Sequence, residues 1–108
     1  LEEKTLPDAV ICANNYIAMG CVAAIQESGL RVPEDMGVMA FDDYPLSQFI
    51  DPPLTVVDIN VRDMGNQAGK FLVDIIRRPN MQVQTYVTTS NIKERGSTVR
   101  WTKPQNGR

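Results

Sequence analysis

The sequence contains no histidine. Without an imidazole there is no Ser–His–Asp triad, no His–metal site and no histidine general base. A charge excess of either sign is missing too: 11 basic residues stand against 13 acidic ones, a net charge of -2. That balance excludes a nucleic-acid surface built on charge, which needs clustered, uncompensated Lys and Arg. No apolar run approaches the roughly 18 residues of a membrane span. The opening residues, LEEKTLPD, lack the basic-then-apolar order of an export signal, and no Met begins the chain, which leaves room for upstream sequence. Cysteine is scarce, with only Cys12 and Cys21. One reads as strand and the other as the following helix, so packed thiols are expected rather than a disulfide, in a reducing, cytoplasmic setting.

What is present is an ordinary globular mix of 43% hydrophobic and 22% charged residues in 108, enough for one core and not two. Residues 8–13 form a short apolar run, read as a strand buried on both faces. Asn14 and Asn15 follow, and asparagine caps helix starts well. The helix expected over residues 16–28 carries Ile17, Cys21, Ala24 and Ile25 as its core stripe, with Gly29 as its stop. Residues 36–41 read as a second strand ended by Asp42 and Asp43. A proline-punctuated loop follows, with one helical turn over 46–50. Residues 54–59 are a third strand. Residues 61–78 are a second helix with Met64, Ala68, Phe71, Leu72 and Ile75 on one stripe. Residues 83–88 alternate as a strand does, 91–99 are a weaker extended piece, and a polar tail runs from Thr102.

Strands alternating with helices predict an α/β fold around a mainly parallel sheet. Ligands in such sheets sit beyond the carboxyl ends of the strands. That rule singles out Asn14 and Asp42–Asp43. An amide offers donors and an acceptor and a carboxylate offers acceptors, a set suited to a polyhydroxylated ligand. A helix cap and a solvated turn pair are the alternatives at these positions.

Five short motifs then recur in one order: A-N-x-x-x-A-x-G from Ala13, G-L-x-V-P-x-D from Gly29, F-D-D from Phe41, P-P-L-T from Pro52 and R-x-S-T from Arg95. In this order they resemble the C-terminal part of the lactose-repressor (LacI/GalR) family of bacterial transcription regulators. The resemblance implies a three-layer, parallel-sheet lobe of the periplasmic-binding-protein-like (type I) effector domain, present as a C-terminal fragment of roughly a third of the protein. It implies an N-terminal helix-turn-helix and a first lobe outside this chain. Residues 6–58 and 89–98 would belong to the C-terminal lobe, 61–86 to the N-terminal lobe and 101–108 to a tail. So divided, the second helix lacks its usual sheet, and its apolar stripe needs another partner.

The family's effector-facing Asn falls on Asn14, and the first Asp of its F-D-D on Asp42, with Asp43 holding the loop. Its side-by-side dimer surface falls on Met19, Val22, Phe49 and Ile50, of which Met19 and Val22 lie off the expected core stripe. Three positions depart from the family: Asn15 where Asp is usual, Ala40 where Gly is usual, and Ile59 where a Gln is frequent. The last departure bears on sugar contacts. The function implied is effector sensing and dimerisation in a cytoplasmic regulator answering to a sugar or sugar phosphate. Operator DNA would be reached only through the N-terminal domain, and neither catalytic residue, cofactor, metal nor membrane is expected. An extracellular sugar-binding protein of the same architecture is the alternative. A Mg²⁺-dependent phosphoryl-transfer site at Asp42–Asp43 lacks the further oxygen ligands and phosphate-holding loop it needs.

Overall fold

A computed structural model describes residues 5–99; residues 1–4 and 100–108, with the expected tail from Thr102, lie outside the described part. Two compact units emerge: the residues up to Asp58 together with those from Ile92 onward, and Ile59–Asn91.

In the first unit, β1 (Ala9–Cys12) leads into α1 (Asn15–Glu27) and back to β2 (Gly37–Phe41), followed by a 3-10 turn (Pro45–Gln48) and β3 (Thr55–Ile59). A short β4 (Ser90–Lys93), of which Ile92 and Lys93 belong to this unit, completes the strand order β1-β2-β3-β4. β1 runs parallel to β2 with Cys12 opposite Ala40, and β2 parallel to β3 with Phe41 opposite Val57. Parallel neighbours need a crossover, which α1 supplies between the first two strands. Asn14 starts α1 by accepting a bond from the Ile17 N–H at 2.9 Å. Gly29 ends it at φ 83, where the Leu30 N–H reaches the Ile25 carbonyl and the Gly29 N–H the Gln26 carbonyl. That double closure satisfies carbonyls the helix would leave open, and glycine takes the left-handed position without a Cβ clash.

Ala18, Val22 and Ile25 pack with Cys12, Val38, Ala40, Leu54 and Val56 into one core. The expected helical phase is therefore corrected. Ile17 is 53% exposed, and Val22, read as lying off the stripe, is 3% exposed and in the core. Small Ala18 lets α1 approach the sheet on the Val22 side, a choice that apolar spacing alone does not resolve. β1 is not buried on both faces, because it is the edge strand and Ile11 is 64% exposed. Successive side chains point to opposite faces of a sheet. Ile11 and Phe41 stand open on the face away from α1, so the third layer is not among the described residues of this unit.

In the second unit, α2 (Val61–Arg77) is capped by Asn60, whose side chain accepts from the Asp63 N–H at 3.0 Å. None of its residues is buried. Residues 81–86 follow the helix, lining small cavities with Met64, Ala68, Phe71 and Ile75. The strand expected over 83–88 does not form: Val83 is 96% and Val87 83% exposed. β-branched residues favour a strand only where a neighbouring strand and a packed face exist. The extended piece expected over 91–99 is strand only through Lys93, and then turns at 96–98.

Candidate functional site at the strand ends

The register brings the two residues named from the sequence to one level. Cys12 faces Ala40, and Asn14 and Asp42 each lie two positions further along parallel neighbours. Asn14 uses its Oδ1 on the Ile17 N–H. The amide nitrogen keeps two donors, so capping and ligand contact are compatible there. Asp42 is half-buried and sits at φ 71, the left-handed region, which costs a non-glycine residue about 1–3 kcal/mol unless its surroundings hold it. The surroundings do so. Its N–H donates to the Val57 carbonyl at 2.9 Å, and the Asn15 amide donates to its carbonyl at 2.8 Å. Its carboxylate has no hydrogen-bond partner among the described residues, so acceptors at a fixed place remain for a ligand.

Asp43 has the opposite character. Arg95 donates to it in a fork, Nη1 to Oδ1 and Nη2 to Oδ2, both at 2.9 Å. Ser47 Oγ donates to Oδ1 at 2.6 Å, and Lys93 Nζ to Oδ2 at 3.1 Å. The Arg95 guanidinium, aided by Ser47 and Lys93, holds the Asp43 carboxyl far below the usual carboxylate range, against the opposing effect of burial. Lys93 also pairs with Asp58 at 3.1 Å, and first Asp58, then Asp43, raise its own affinity for a proton. The Asp43 side chain is thus a fastener rather than a ligand group, with all its acceptor directions taken.

The R-x-S-T segment supplies the other half of that fastening. Arg95 Nη1 donates to the Leu54 carbonyl at 3.0 Å. Ser97, with no exposed surface, accepts from the Thr55 N–H at 2.8 Å and donates to the Val38 carbonyl. Thr55 Oγ1 accepts from the Arg95 N–H at 2.8 Å and lies 2.6 Å from Thr98 Oγ1. The segment thus ties β2, β3 and the Asp43 loop together. Sequence reasoning found R-x-S-T as a motif but not its partner, 52 residues upstream. It also missed the role of Asn15, a fully buried asparagine whose donors reach the carbonyls of Phe41 and Asp42.

Away from the strand ends, α1 and the loop before β3 enclose a shallow groove of about 600 Å³, lined by Tyr16, Met19, Ala23, Leu46, Phe49 and Ile50 among others. Phe49 is 82% exposed, Tyr16 70% and Met19 40%. Val22 contributes only an edge of the floor, being core, and Ile50 packs partly against that core. Both cysteines are free. Burial, then the neighbouring Cys21, push the Cys12 thiol up to about 11, so it stays protonated and is a poor nucleophile.

Residues 1–98 match the family model of the periplasmic-binding-protein-like domain. The chain is 40% identical over 86 residues to the HTH-type transcriptional repressor PurR of Haemophilus influenzae, covering 80% of this chain and 26% of that protein. It thus spans about a quarter of the length of the curated relatives it matches. Among solved structures, a LacI-type transcription regulator from Bifidobacterium animalis is 32% identical with a TM-score of 0.79, over 86% of this chain and 33% of that one. A LacI family transcriptional regulator from Lactobacillus casei with bound glucose is 30% identical with a TM-score of 0.71, over 85% and 32%. No helix among the described residues is long and apolar enough to cross a membrane. A parallel α/β unit agrees with these likenesses, and the chain belongs to the periplasmic-binding-protein-like domain family, with repressors and LacI-type regulators among the proteins it is similar to.

Proposed function

We propose that this chain is the effector-sensing and dimerising portion of a bacterial transcription regulator that answers to a sugar, a sugar phosphate or a related small metabolite. The observation that carries the reading is Asp42, a carboxylate without a partner, held in a left-handed turn level with the Asn14 amide. Fixed acceptors beside free amide donors suit neighbouring hydroxyl groups, and little freedom is lost on binding because the sheet already holds them. The bound glucose of the Lactobacillus casei regulator supports a sugar as the class of ligand.

In this reading residues 61–86 belong with the N-terminal lobe and 6–58 and 89–98 with the C-terminal lobe, a division supported by the separate compact unit at Ile59–Asn91. Effector bound between lobes favours one lobe arrangement, which shifts the spacing of two DNA-binding heads supplied by an N-terminal helix-turn-helix domain. No bond is broken and no cofactor is used; the regulator is cytoplasmic and not an enzyme. The names of the relatives, repressors and regulators, favour it over an extracellular sugar-binding protein. The groove around Met19, Phe49 and Ile50, with the edge of Val22, is the homodimer surface, since clustered exposed apolar residues lose unfavourable hydration on pairing.

The test joins both parts. A panel of mono- and disaccharides and their phosphates is titrated into the regulator by calorimetry, and Asp42→Ala is expected to weaken the binding found by roughly ten- to a hundred-fold. A panel in which no member binds, or an Asp42→Ala variant that binds like the parent, overturns the effector assignment. Met19→Asp is expected to turn dimer into monomer by ultracentrifugation with the far-UV spectrum kept. An unchanged dimer puts the interface elsewhere.

A further inference from the structure

Asn15 has no exposed surface, and its Nδ2 donates to the carbonyl oxygens of Phe41 at 3.2 Å and Asp42 at 2.8 Å. Its Oδ1 is buried without a partner. The orientation of the amide follows from chemistry: turned over, it would aim an oxygen at two carbonyl oxygens and lose both bonds. In this chain, where the family usually has Asp, the position thus holds a group with two donors, at the cost of an orphaned acceptor.

The two carbonyls are not an arbitrary pair. One belongs to the peptide plane before residue 42 and the other to the plane after it. Holding both planes fixes the two dihedral angles of residue 42. That residue is the one non-glycine at positive φ among the described residues.

We propose that Asn15 is the positioning residue of the effector site, a buried two-donor clamp that holds Asp42 in its left-handed conformation and so aims its carboxylate. The proposal rests on the reading of Asp42 as an effector contact, but the clamp itself is testable without any effector. A carboxylate in place of the amide has no donor when ionised and one when protonated. Asn15→Asp therefore separates a clamp from a space-filler by pH. The titratable groups on the surrounding elements are Cys12 of β1, Tyr16, Cys21 and Glu27 of α1, Asp42, Asp43 and Tyr44 after β2, and Asp58 of β3. Acids in that set only add to repulsion of a new carboxylate, and the cations Lys93 and Arg95 are already bonded to Asp43 and Asp58.

The introduced carboxyl gains affinity for its proton on folding, so its stabilising form is present at low pH and lost as pH rises. The melting-temperature gap between parent and Asn15→Asp is expected to be small near pH 4 and to widen by about 5 °C or more by pH 7. Asn15→Ala, which loses both donors without adding charge, is expected to show a gap independent of pH. In both variants at pH 7, hydrogen exchange of the Asp42 N–H, bonded to Val57 in the parent, is expected to speed up at least about ten-fold. If Asn15→Asp does not fold at pH 7, refolding at pH 4 and the Asn15→Ala arm give the reading. A pH-independent gap for Asn15→Asp, or an Asp42 amide that exchanges as in the parent, overturns the clamp. Should the clamp stand while Asp42→Ala binds the sugar panel like the parent, the failure belongs to the effector reading and not to the clamp.

Discussion

The two helices invert what their sequences suggest. α2 shows the plainer amphipathic pattern, with Met64, Phe71, Leu72 and Ile75 along one side and Arg62, Lys70, Asp74 and Arg77 elsewhere, yet it has no buried residue. α1 has a blurred pattern, with apolar residues around much of its circumference, yet it places Ala18, Val22 and Ile25 in the core. An amphipathic stripe records that a helix has a partner, not that the partner lies within the same stretch of chain. A helix between a sheet and a second surface needs apolar residues on more than one side, which blurs its stripe.

The sharpest way to break this contrast is to remove equivalent side chains. Ile25 is 1% exposed and Ile75 49%. Ile25→Ala is expected to cost about 2–5 kcal/mol in urea unfolding, because a cavity opens in packed surroundings. Ile75→Ala is expected to cost about 0.5 kcal/mol or less, as for surface positions. A cost at Ile75 equal to that at Ile25 means that another copy or another segment covers the stripe in solution.

The next effect is electrostatic and confined to the first unit. Arg95 and Asp43 are only 18% and 10% exposed at their side chains. Removing one partner leaves a mostly buried charge, so Arg95→Ala is expected to cost about 2–4 kcal/mol at pH 7. The sign in acid follows from the lowered Asp43 value. The folded chain holds that proton less tightly than the unfolded one, so stability is fully present above the unfolded carboxyl range. It is lost as pH falls below about 5. Melting curves of the parent are expected to slope downward there, and those of Arg95→Ala to slope less. A variant with the parent's acid slope would mean that other carboxylates carry it.

How much of this was legible in the sequence depends on the distance over which each feature is determined. The strands at 9–12, 37–41 and 55–59, the Asn14 cap and the Gly29 stop are local events, set by apolar runs and by single residues with special backbone or capping preferences. The placing of Asn14 and Asp42 at one level needed only a parallel sheet. What stayed hidden is non-local. Asp43 finds Arg95 across 52 residues, and Asn15 reads as a second cap residue until β2 is seen to end beside it. Val22 rather than Ile17 faces the core because Ala18 allows close approach, a packing choice that periodicity leaves open. The missing strand over 83–88 fails for the same reason in reverse: its β-branched residues have the propensity but no neighbouring strand.

The smallest effect compares one device in two settings. Asn14 and Asn60 cap α1 and α2 identically, each side chain accepting from the N–H three residues on, at 2.9 and 3.0 Å. Loss of such a cap costs the helix about 1 kcal/mol. α1 is bound into the core, so its loss is felt by the whole first unit. Asn14→Ala is expected to lower the melting temperature by about 4–8 °C. α2 has no buried residue, so its unfolding is a local event with little cost in core contacts. Asn60→Ala is therefore expected to leave the main melting transition in place and to speed hydrogen exchange about five-fold in the first turns of α2 alone. A comparable drop in melting temperature from both substitutions would show that α2 melts together with the core, and the contrast between the helices would then describe exposure but not stability.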